Sequence, residues 1–122
     1  MIDPHSFKDL RLPGGFVIVE IEFTREPLLD AMGREAIAKT AIVGTSLTLL
    51  IRDGLSEREL SVTFYHEILE AVTVGSSRPP AGVMEFNEAD FERTACRMHD
   101  ELGAASPENL NHMLQSCGFR EG

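Results

Sequence analysis

The sequence predicts an α+β domain, with a small mixed or antiparallel sheet packed on one central helix and further helices at the C-terminal end. Three observations carry this. The stretch GFVIVEIEFT, residues 15–24, alternates apolar and acidic residues with the period of a half-buried strand. Ser56 followed by Glu59 ahead of a long apolar run is the signature of a capped helix. After Pro79-Pro80, two further segments open with good caps, Asn87 and Ser106-Pro107, and carry apolar residues at helical spacing.

Taken in order, residues 1–13, MIDPHSFKDLRLP, read as a flexible N-terminus without the apolar h-region of a secretory leader. In the strand that follows, alternation puts Val17, Val19, Ile21 and Phe23 on one face, Glu20 and Glu22 on the other. EPLLDAMGREAIAK, residues 26–39, has Pro27 suited to a first turn and Leu28, Leu29, Met32 and Ile37 at helix-like spacings, which predicts a short helix weakened by Gly33. AIVGTSLTLLIRDG, residues 41–54, is β-branched and aliphatic and closes on Asp53-Gly54. Gly44 makes it either two short strands or one kinked strand.

A helix is expected from Ser56 to Val74, ended by Gly75, and GSSRPPAG, residues 75–82, can only be a loop. Phe91, Ala95, Met98 and Leu102 form the buried stripe of a helix from Asn87 to Gly103. Leu110, Met113, Leu114 and Cys117 form that of a last helix before Gly118. With 122 residues and no linker or repeat, the chain reads as one domain, large enough to bury a core without a disulfide or metal staple.

Composition narrows the function classes. Hydrophobic residues make up 43% of the chain and charged residues 25%, as in ordinary globular domains. The formal charge of −9 repels phosphate backbones and anionic membrane surfaces, so nucleic acid is not expected as a partner. No apolar run reaches the length of a membrane span, roughly 20 residues. Cys96 and Cys117 have no CxxC spacing and read as packed thiols in a reducing compartment, which places the protein in the cytoplasm.

The chemistry concentrates in TFYHEILEA, Thr63 to Ala71. On a helix, positions i and i+4 lie one above the other, so His66 and Glu70 can face one ion, with Glu67 beside it. Zinc hydrolases use His-Glu-x-x-His for this geometry: the two His bind the metal and the Glu handles the proton of the attacking water. Here Glu70 stands at the last position. A carboxylate remains a zinc ligand, and a site richer in carboxylates also tolerates harder ions such as manganese.

The run from Gly44 through HEILEAVTV resembles the small zincin-like metalloprotease domains of bacterial and phage proteins, in which a strand leads into a helix carrying HExxH, often as HEILHA. The likeness spans about Thr40 to Leu102, and its specific part is the HE-IL-A core. It implies a minimal zincin-like fold, peptide-bond hydrolysis where the motif is complete, zinc as cofactor, and a third ligand from the following helix; the chemistry of Glu70 leaves manganese or no ion as alternatives. In NEADFER, residues 87–93, Glu88 falls on the side of the Phe91 stripe and is the first candidate; His99 is the second. Glu67 is the candidate general base.

Each residue also has a plainer reading. His66 can be a hydrogen-bonded helix residue, and acids at positions 90 and 92 suit the positive end of a helix dipole regardless of function. If His66, Glu67, Glu70 and Glu88 converge, carboxylate repulsion must raise the pKa of at least one glutamate or draw in a cation. Two functions are therefore expected. One is a metal-dependent, peptidase-like hydrolase with an altered HExxE motif. The other is a non-catalytic domain that binds a peptide or protein partner or forms a homo-oligomer, with Phe64, Tyr65, Pro79 and Pro80 as contact surface.

Overall fold

The computed structural model describes residues 2–120 and has the α+β architecture expected from the sequence. Strands β1 (Leu10–Arg11), β2 (Val17–Thr24), β5 (Ala38–Val43) and β6 (Ser46–Arg52) form a mixed sheet in the order β1-β2-β6-β5. β2 and β6 are parallel; the outer pairs are antiparallel. A separate small hairpin joins β3 (Leu28–Leu29) to β4 (Glu35–Ala36) just before β5. Helices α1 (Glu57–Gly75), α2 (Glu88–Leu102) and α3 (Pro107–Ser116) complete the chain.

The inner face of the sheet is set by Leu47, Leu49 and Ile51 of β6, all fully buried, flanked by Ile18 of β2 and Ala38 of β5. Helix α1 packs between this sheet and the other two helices, so it is buried on most sides, with Phe64, Tyr65, Ile68, Leu69 and Val72 fully enclosed. A helix apolar nearly all round is what such a central position requires. Its start is fixed by the Ser56–Glu59 capping box, with both reciprocal hydrogen bonds present. Asn87 with Asp90, and Ser106 with Pro107, start α2 and α3 as their sequences predict. Gly44 resolves into the hairpin alternative: it sits at φ +64 as the first of two residues linking β5 to β6, where a type II′ turn favours glycine.

Three expectations are corrected. Residues 26–39 form no helix. The Asp30 carboxylate accepts from the backbone N–H groups of Met32 and Arg34, and Gly33 takes φ +77, which closes the β3–β4 turn instead. Of the supposed helical stripe only Leu28 is buried; Met32 is 77% exposed. In β2 a bulge between Ile18 and Glu20 shifts the register by one residue. Ile18, rather than Val17 or Val19, then points into the core alongside Leu47. The N-terminal segment is docked in its described part: Asp3 caps a 3-10 turn over Pro4–Phe7, and the fully buried Phe7 ring stacks on Phe64 with centroids 4.4 Å apart. Among the described residues, no helix is long and apolar enough to cross a membrane.

Candidate metal centre

Helices α1 and α2 run antiparallel, and their facing polar residues meet in sequence along the seam. Arg58 pairs with Asp100, Ser61 meets His99, and His66 meets Glu92 and Glu88. Glu88 and Glu92, one helical turn apart, thus arrive on either side of one imidazole. His66 Nδ1 lies 2.7 Å from Glu92 Oε1 and Nε2 lies 3.1 Å from Glu88 Oε2. Glu70, one turn on from His66 along α1, places Oε2 at 3.6 Å from Nε2, an ion contact longer than a hydrogen bond. Ligand-type atoms of His66, Glu67 and Glu70 all lie within 4.8 Å of one another.

Glu67 is held from the sheet side. Thr40 Oγ1, on β5, donates to its Oε1 at 3.0 Å. An edge strand of the sheet therefore holds the α1 carboxylate of Glu67 from one side of the cluster, while α2 supplies Glu88 and Glu92 from the other. Beside the cluster runs a groove of about 860 Å³ between the β3–β4 hairpin and β5 on one side and α1 on the other, with Glu67, Glu70 and Glu88 along it and Leu29, Met32, Ile42 and Val74 among its apolar walls. A smaller cavity of about 170 Å³, lined by Ile37, Thr63, His66 and Glu92 among others, shares Glu67 and Glu88 with it.

The electrostatics follow from one imidazole set among four carboxylates. Burial alone would lower the His66 pKa, but the carboxylates of Glu70 and Glu92 facing the ring, and the charges of Glu67 and Glu70, raise it to about 9. Without a cation, His66 is then protonated at neutral pH and both ring nitrogens donate to carboxylates. Glu88 is pushed up to about 7, chiefly by the neighbouring Glu70 carboxylate and by burial, while His66 pulls the other way. Glu70 is held below its usual range, first by His66. Burial raises Glu67, with Thr40 and His66 opposing. His66, Glu67 and Glu70 therefore come together, and Glu88 is raised as carboxylate crowding requires.

The donor set fits a hard or borderline divalent ion. It offers one imidazole nitrogen and several carboxylate oxygens, anionic in excess and partly removed from water. His66, Glu67 and Glu70 are the residues whose ligand-type atoms come together, and Glu88 reaches Nε2 from α2. His99, the alternative third ligand, belongs elsewhere: its Nδ1 is 2.7 Å from Ser61 Oγ, farther along the seam, because α2 runs antiparallel to α1 and carries position 99 away from His66. Glu92 is the residue sequence reasoning undervalues, since its place near the start of a helix already has a dipole explanation. Its spacing of four from Glu88 is the signal that the two share a face. Phe64 and Tyr65, considered above as contact surface, are fully buried. The Tyr65 hydroxyl donates to Gly103 O at 2.8 Å. Comparison of the chain with protein-family models, with curated protein sequences and with solved structures finds no match.

Proposed function

We propose that this domain is a metal-dependent hydrolase of the peptidase type, in which His66, Glu70 and Glu88 hold a divalent cation, zinc in the first instance and manganese in the second, and Glu67 is the general base. The observation that carries the reading is the convergence of the His66, Glu67 and Glu70 ligand atoms within 4.8 Å beside an open groove. The cation would act as a Lewis acid on a carbonyl placed in the groove. Every other task falls to the chain's own residues.

Glu67 is suited to accept a proton from the attacking water, because burial raises its pKa toward the working range of a general base and Thr40 fixes one oxygen while the other remains available. The apolar side chains of Leu29, Ile42 and Val74 along the groove suit the side chains of a peptide. The charge of −9 disfavours nucleic acid as the ligand, and the zincin-like pattern around HEILEA favours a peptide bond as the target.

Glu67→Gln tests the assignment. In zinc-loaded protein it should cut turnover of a peptide library about 100- to 10,000-fold while leaving metal content unchanged; turnover at the wild-type rate refutes the role given to Glu67. A second reading is favoured by the exposure of Leu29, Met32 and Ile37, which are 55%, 77% and 46% exposed near the groove. In that reading the domain is non-catalytic, the His66 cluster is an ion-paired clasp between α1 and α2, and the apolar residues meet a protein partner or a second copy. A metal-free, inactive wild type that self-associates through this face would favour it.

A further inference from the structure

We propose that Glu92 is a positioning residue for the metal centre: it holds the Nδ1 edge of the His66 ring so that Nε2 is the nitrogen presented to Glu70 and Glu88. This deepens the reading above and rests on it. The observation is geometric. Glu92 Oε1 is 2.7 Å from Nδ1, the shortest contact His66 makes, while Glu88 and Glu70 approach Nε2. An ionised carboxylate only accepts, so the hydrogen in the Glu92 contact belongs to Nδ1.

With Nδ1 committed, Nε2 is the sole ring atom left to coordinate. A carboxylate on the far nitrogen of a ligating imidazole fixes its tautomer and orientation and makes the coordinating nitrogen more basic. Glu92 is placed for this by its own helix. It stands one turn beyond Glu88 on α2, so the same docking of α2 on α1 that delivers Glu88 to Nε2 delivers Glu92 to Nδ1. The contact is braced weakly from behind, where Cys96 Sγ, one further turn along α2, lies 3.8 Å from Glu92 Oε2. Without Glu92 no carboxylate holds Nδ1, and only the approaches of Glu88 and Glu70 to Nε2 are left to orient the ring.

A merely structural ion pair would also lose stability on mutation, so the test reads the ring itself. Zinc affinity is measured by competition with a chromophoric chelator for wild type, Glu92→Ala and Glu92→Gln. Nitrogen NMR of the His66 ring is recorded for each with zinc alone as the probe. The expected results are Nε2 coordination with a protonated Nδ1 in wild type, a loss of affinity of about 10–100-fold in Glu92→Ala, and substantial recovery in Glu92→Gln, whose amide oxygen still accepts from Nδ1. Glu92→Ala binding zinc as tightly as wild type, or wild type coordinating through Nδ1, overturns the role of Glu92 while leaving the metal centre standing. A wild type that binds no zinc overturns both.

Discussion

The seam between α1 and α2 carries two histidines, and the difference between them defines what the site is. At one end His99 Nδ1 meets Ser61 Oγ at 2.7 Å, and that hydroxyl also accepts from the Ala105 backbone N–H at 2.9 Å. Ser61 is fully buried, and neither contact involves a carboxylate. At the other end His66 meets Glu70, Glu88 and Glu92 with Glu67 beside it, and acceptors far outnumber donors. A histidine between helices is therefore no sign of a metal by itself. The surplus of carboxylates around one of them is the difference, because like charges held together are neutralised by protons or by a cation.

The largest expected difference between the two ends is in turnover. Glu67→Gln should lower the rate about 100- to 10,000-fold, the scale of a lost general base, whereas His99→Ala should change the rate per folded molecule little. Steady-state kinetics on both variants at equal zinc occupancy would show it, and a comparable loss in His99→Ala would erase the distinction.

Stability against pH sharpens the contrast next. The native pKa of His66 lies above its unfolded value of 6.5, so in metal-free protein its contribution is complete below pH 6.5 and is lost as pH rises through about 9. Glu88, raised to about 7, shifts the balance in the same direction through a lower window. With allowance for the exposure of Glu88 and Glu92, the fall is about 1–2 kcal/mol between pH 6.5 and 9. Urea denaturation across that range measures it, and His66→Ala should flatten its upper part. Bound zinc should reverse the trend, since binding displaces a proton and strengthens as pH rises.

At the Ser61 end the effects are structural. Ser61→Ala strands the Ala105 N–H and should cost about 1–3 kcal/mol, the penalty of an unsatisfied buried group. Smaller still, Arg58→Ala removes an exposed pair with Asp100 at 3.0 Å and should cost about 0.2–1 kcal/mol, declining with added salt.

What the sequence discloses of this arrangement depends on how local the cause is. Helix starts are legible because Ser56, Asn87 and Ser106 make their capping bonds within three residues. The coming together of His66 and Glu70 is legible because both lie on one helix face. The β3–β4 hairpin is misread because Leu28, Leu29 and Met32 mimic a helical stripe, while the deciding feature is an Asp30 side chain bonded to two backbone N–H groups and a Gly33 at positive φ. The β2 bulge is hidden because it depends on the β6 partner. Glu88 and Glu92 can be placed on one face of α2 from spacing alone. That this face meets His66, and that His99 meets Ser61, depends on the antiparallel docking of two helices, which no local pattern contains.

Calorimetric titration of metal-free wild type with zinc, beside His66→Ala and His99→Ala, tests the central claim most directly. One zinc per chain in wild type and in His99→Ala, with none in His66→Ala, is the predicted result. Binding that survives in His66→Ala, or a wild type that takes up no zinc, would contradict a metal centre at this end of the seam.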